Sequence, residues 1–147
     1  MNRRDLLTAL SASALLPLDS MSQMIPTAEQ GHRMTESKVY QFADLPTIKR
    51  PNGQVDQTVL NGFLATGEGL EVHETTLPPG QMPHPSHQHK HSELMLVRSG
   101  TLEFDSNGTR TTAGPGGVFF VASDVPHAVK CVGEVAANYY VVAIGRD

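Results

Sequence analysis

The run His87-Gln88-His89-Lys90-His91-Ser92-Glu93 sets three imidazoles and a carboxylate at alternate positions, and a fourth imidazole follows in Asp124-Val125-Pro126-His127. Neutral imidazole together with carboxylate suits Mn, Fe, Ni, Cu or Zn. In an extended strand alternate side chains share a face, so His87, His89, His91 and Glu93 are expected to point to one side. His127 would then approach from another strand and complete a shell around an ion. A solvated, His-rich loop is the alternative that composition alone allows.

The elements that have to position these side chains read as strands. Residues 70–77 combine β-branched residues with partial alternation and end at the turn signal Pro78-Pro79-Gly80. Further strands are expected over 93–97, 101–105, 109–112, 118–121, 128–132 and 138–144. Asn107-Gly108 forms a hairpin turn between two of them, since both residues tolerate positive φ. Many short strands, Gly and Pro punctuation and no convincing helix beyond the N-terminal segment give an all-β sandwich or barrel.

The stretch through Gly80, His87, His89, Glu93 and Gly100 resembles the first signature motif of the cupin superfamily. Gly116-Gly117-Val118-Phe119-Phe120-Val121-Ala122-Ser123-Asp124-Val125-Pro126-His127 is similar to the second. Six residues, where the family usually has five, separate Gly80 from His87, and Ala122, Asp124 and Cys131 stand where Pro, Gly and Asn are usual. The resemblance implies a double-stranded β-helix, or jelly-roll barrel, over about residues 39–144. It also implies one divalent metal ion per chain, held by His87, His89, Glu93 and His127. Four protein ligands on a six-coordinate ion leave up to two positions open for water, substrate or dioxygen.

Other residues near this set have separate expectations. His91 has the parity to face inward and is the candidate catalytic residue, as a proton shuttle, a partner of a ligand or an alternative ligand. His84, between Pro83 and Pro85, belongs to a rigid loop near the mouth; His73 reads as a half-buried structural residue and His32 as an exposed linker residue. Phe63, Phe104, Phe119, Phe120, Tyr139 and Tyr140 are expected to pack the sheets. Cys131 is the one cysteine, so no intrachain disulfide is possible, and it reads as a small buried hydrophobe.

At the N-terminus, Asn2-Arg3-Arg4-Asp5-Leu6-Leu7 and the mildly apolar residues 8–18 look like a twin-arginine export signal. That apolar run is shorter than the roughly 20 residues a membrane span needs, so no stable anchor is expected. The expected organisation is a signal over 1–22, a linker over 23–37 and one domain over 38–147, exported to the periplasm or beyond. Twin-arginine substrates cross folded, so the metal can be inserted in the cytoplasm. Cu²⁺ outcompetes weaker binders at most N/O sites, which favours Mn or Fe loaded where copper is scarce, with Ni, Cu and Zn as further candidates.

Fifteen acids against eleven bases give a net charge of −4, and no basic stripe or aromatic ladder suggests nucleic acid. The expected partner is a small molecule, and the resemblance implies a homodimer. Two functions follow: a metal-dependent enzyme of the dioxygenase or oxalate-decarboxylase-like type, and a non-catalytic periplasmic carrier of a metal or small ligand. A purely structural metal is a third possibility.

Overall fold

A computed structural model describes residues 32–145. The expected export signal and residues 23–31 of the expected linker lie outside the described residues. Among the described residues the elements are a short 3₁₀ turn, Phe42–Asp44, and nine strands. The strands are β1 Thr47–Lys49, β2 Val55–Phe63, β3 Gly69–Leu77, β4 Ser92–Ser99, β5 Leu102–Ser106, β6 Thr109–Ala113, β7 Val118–Val121, β8 His127–Cys131 and β9 Ala137–Ile144. They form two antiparallel sheets, β1-β2-β3-β9-β4-β7 and β6-β5-β8, which is the jelly-roll arrangement.

The strands from β3 onward follow the alternation in the sequence to within a residue or two. β1 and β2 were not anticipated. In Val55–Phe63 polar residues interrupt the apolar ones, and the pairing with β3 slips at a bulge between Thr58 and Leu60, which breaks the period-two signal. Beyond β2, Arg33 bridges Phe63, and Met34 and Phe63 donate their backbone N–H groups to Phe63 and His32. His32 itself is exposed, as expected.

Register across the larger sheet creates three inward-facing rungs. The first carries Asp56, Thr75, Tyr139 and Val97; the second, Thr58, His73, Val141 and Met95; the third, Glu71, Ala143, Glu93 and Val121. Apart from Glu93, the rungs are apolar over β9, β4 and β7, and they are polar over β2 and β3. The apolar part meets Leu102, Phe104, Val129 and Cys131 of the smaller sheet in one core. Phe104 stacks on Phe119 with ring centroids 5.1 Å apart. Burying each such ring stabilises the fold by about 1.5–3 kcal/mol.

Not all the aromatics share that role. Phe104, Phe119 and Tyr139 are buried, but Phe120 is 63% exposed, and Tyr140 lies beneath Arg98 on the outer face. The cause is parity: Phe119 pairs with inward Met95, which turns its neighbour Phe120 outward with Leu94.

Turns hold the strands in register. Asn107 (φ 49°) and Gly108 (φ 85°) both adopt positive φ, as the hairpin reading expects, and Asp105 Oδ1 accepts the Gly108 N–H at 2.8 Å. Asp124 adopts φ 57°, the left-handed conformation for which glycine is usual, and aspartate is among the side chains that tolerate it.

Candidate metal centre

Glu93 is the second residue of β4, in the larger sheet, and His127 opens β8, in the smaller one. Residues 84–91 that precede β4 form no continuous strand. One extended strand therefore does not present the four motif-one side chains, contrary to the parity argument. His87 instead forms an isolated antiparallel bridge with His127: each donates its backbone N–H to the other's carbonyl, at 3.1 and 2.9 Å. The Asp124 N–H is bonded to the His89 carbonyl at 2.8 Å and ties the next residue of the run to the turn before β8. Backbone pairing thus brings the two motifs together.

The side chains converge as a result. One ring nitrogen each from His87, His89 and His127 lies within 4.8 Å of the others, and His89, His91 and Glu93 form a second, overlapping group. Glu93 joins the two, with Oε1 3.3 Å from His89 Nε2 and Oε2 3.7 Å from His127 Nε2. His127 is 1% exposed, and the His87, His89 and His127 rings sit 4.5–5.2 Å apart, centroid to centroid.

The nitrogens are prepared for an ion. His127 Nδ1 is 2.9 Å from the Val125 carbonyl and His89 Nδ1 is 2.8 Å from the His91 carbonyl. A carbonyl only accepts, so each Nδ1 carries the hydrogen and each Nε2 keeps a lone pair. Those two Nε2 atoms, with His87 Nδ1, are buried and lack a hydrogen-bond partner. Such orphaned atoms are costly unless something binds them. Burial, followed by the imidazoles of His84, His127 and His89, pushes His87 down to about 4. Burial also lowers His127, against the opposing pull of its bond to Val125 and of Glu93. Both rings are neutral at neutral pH, the form that binds metal. The donor set fits a divalent transition metal.

His91 stands beside this set. Its ring stacks on His89, and its Nε2 is 3.1 Å from Glu93 Oε1. His84 meets His87 edge to face, with centroids 4.0 Å apart.

A cavity of about 280 Å³ adjoins the cluster, with Glu93 and His84 in its wall. Arg50, Gln54, Asp56, Thr58, Glu71, His73, Thr75 and Tyr139 also line it. His73 is half-buried, as expected, and bonds Glu71 at 3.1 Å. Sequence reasoning missed Arg50, Gln54, Asp56 and Thr75. The alternation of Asp56 and Thr58 was the available signal, and it needed the register with β3 to acquire meaning.

Asp56 is the centre of that wall. Its Oδ1 accepts from Gln54 Nε2 at 2.7 Å and Thr75 Oγ1 at 2.9 Å, and its Oδ2 accepts from Arg50 Nε at 2.9 Å. Burial raises its pKa, but the bonds from Gln54, Arg50 and Thr75 outweigh this and hold it below the usual carboxylate range. Tyr139, hydrogen-bonded to Thr75, is held far above the ordinary phenol range by burial.

The barrel and its centre define the class: this is a cupin fold, a double-stranded β-helix with a His/Glu cluster that could hold a metal. Residues 73–143 match the family model described as Cupin domain, a span that includes every residue of the cluster. An RmlC-like cupin from Shewanella frigidimarina is similar to the chain at 20% identity and TM-score 0.62, over 76% of this chain and 95% of that one. KdgF from Halomonas sp. is similar at 16% identity and TM-score 0.64, over 76% and 97%. A variant of oxalate decarboxylase from Bacillus subtilis is similar at 20% identity and TM-score 0.60, over 75% of this chain but 31% of that enzyme. At these identities the likeness is one of fold. No curated protein matches the chain.

Proposed function

We propose that the protein binds one divalent transition metal, Mn or Fe by preference, through His87, His89, Glu93 and His127. It then acts on a small molecule in the adjoining cavity, as an enzyme of the dioxygenase or oxalate-decarboxylase-like type. The observation that carries this reading is the convergence of three buried, partnerless imidazole nitrogens beside a carboxylate that borders a cavity. When bound, the ion supplies Lewis acidity and, for Fe or Mn, redox chemistry.

The chain's own residues do the rest. The Val125 and His91 carbonyls hold two imidazoles in the donor tautomer, and His91 orients the Glu93 carboxylate. The cavity wall shields a small ligand from bulk water on the side of β2 and β3. Turnover of a panel of small carboxylates and enolisable ketones by Mn- and Fe-loaded protein, aerobically and anaerobically, tests the enzyme reading; no turnover of any with full metal occupancy would reject it.

A second reading, a non-catalytic carrier of metal or small ligand, draws on one observation. Asp56 and Tyr139, which face the cavity, are held on opposite sides of neutrality, one as a carboxylate and one as a phenol. Neither is poised for proton transfer near pH 7.

Export by the twin-arginine route belongs to this proposal and is supported by the sequence of residues 1–22. Among the described residues, no helix is long and apolar enough to cross a membrane. A homodimer is also proposed: Leu96, Val118 and Phe120 form an exposed apolar strip on the outer face of β4 and β7, where two copies can bury it. Light scattering on the purified chain checks this, with a monomer counting against it.

A further inference from the structure

We propose that Arg50, held in place by Asp56, anchors the carboxylate of a small monoanionic ligand whose second oxygen lies at the metal centre. This deepens the reading of the cavity given above and rests on it.

Arg50 follows β1 at a turn fixed by two backbone bonds, Arg50 N–H to the Gln54 carbonyl at 2.8 Å and Gly53 N–H to the Arg50 carbonyl at 3.0 Å. Its side chain lines the same cavity as Glu93. The guanidinium is a planar fork of five N–H donors. Asp56 takes only Nε, and no other side-chain partner is present among the described residues, so the Nη edge is available.

The pair differs from an ordinary surface ion pair, which contributes little. The Asp56 side chain is 13% exposed, and three donors fix its orientation and charge. A rigid, ionised acid that grips one edge of a half-exposed guanidinium presets where the other edge points. Preset donors bind an anion with less ordering cost than a free side chain.

Charge and length narrow the ligand. Asp56 has Arg50 as its counter-charge, the Glu71 side chain is 46% exposed and screened by solvent, and Glu93 would offset half of a divalent ion. One positive charge is left over, which matches a monoanion better than a dianion. Asp56 and Glu93 lie on the first and third rungs, roughly 13 Å apart along the strand direction, and β3 and β9 lie between their strands in the curved sheet. The Arg50 and Glu93 side chains close part of this gap, and the remainder takes a chain of several atoms. The ligand class is therefore a small keto- or hydroxy-monocarboxylate with its second oxygen several atoms from the carboxylate.

The test titrates levulinate and its uncharged methyl ester into the metal-loaded full chain, into the metal-free chain, and into R50Q in both states. Levulinate should bind at least ~10-fold more tightly than the ester, because a charge-assisted bidentate contact is lost in the ester. R50Q should abolish that preference and keep its metal. Persistence of the preference in metal-free wild type and its loss in metal-free R50Q support the anchor even if the metal assignment fails. Wild-type levulinate affinity in R50Q, the absence of any preference or binding in the wild type, or loss of metal from R50Q would overturn the proposal.

Discussion

The His91 imidazole lies flat on that of His89, with ring centroids 3.6 Å apart and planes inclined by 6°, while its Nε2 meets Glu93 Oε1 at 3.1 Å. His91 therefore braces two of the proposed ligands. In this arrangement it acts as a positioning residue. H91A is expected to take up metal at unchanged stoichiometry but with affinity weakened ~10–100-fold, as for other residues that orient ligands. Competition against a calibrated chelator measures this, and complete loss of metal would make His91 a ligand instead.

The pH dependence of the metal-free protein follows from the depressed imidazoles. Burial and neighbouring imidazoles hold His87 down to about 4, and burial lowers His127, whereas both titrate near 6.5 when unfolded. Between those values the unfolded chain binds more protons than the native one, so stability rises with pH there. Thermal unfolding in chelator should thus show a melting temperature that falls as pH drops from about 6.5 toward 4. H87A should flatten that slope. An unchanged slope in H87A would mean that other groups dominate it.

Glu74 is 1% exposed on the outer face of β3, pairs with Arg98, and leaves Oε2 buried without a partner. Removing Arg98 strands a buried carboxylate. R98A is expected to lose roughly 1–3 kcal/mol in denaturant unfolding. E74Q in the R98A background should recover part of the loss, because the neutral amide tolerates burial better; no recovery would mean that Arg98 acts through its packing on Tyr140.

Gly100, the last glycine of motif one, has φ 73°, and a Cβ there would lie 2.6 Å from Ala137 Cα and 2.7 Å from the Ala136 carbonyl. It lets the β4–β5 turn pass against the start of β9. G100A is expected to cost at least about 1–3 kcal/mol from the left-handed backbone alone, with the clash added to it. Chemical denaturation monitored by circular dichroism reads the change, and a loss below this range would show that the turn can shift away from Ala137.

Most strands from β3 to β9 were legible because one face lies in the core and one outside, so the sequence alternates, whereas β6 is almost wholly exposed and was marked by the Asn107-Gly108 turn before it. The His and Glu set was legible because its spacing is local, with only His127 distant. β2 was not, since its bulge and polar inner face erase the alternation, and with it went Asp56 and its neighbours. Asp56 acquires a role only through its pairing with Thr75, nineteen residues away, and through the turn that returns Arg50 to it. The irregular backbone over residues 84–91 was likewise hidden, because the sequence does not state that His87 bridges His127.

Metal content by inductively coupled plasma mass spectrometry, on protein purified from its expressing cells without added metal, tests the central claim most directly when wild type is compared with H89A, H127A and H91A. The account predicts about one Mn or Fe per wild-type chain, its loss in H89A and H127A, and its retention in H91A. Wild-type metal content in H89A or H127A, or a wild-type protein that carries no transition metal, would contradict it.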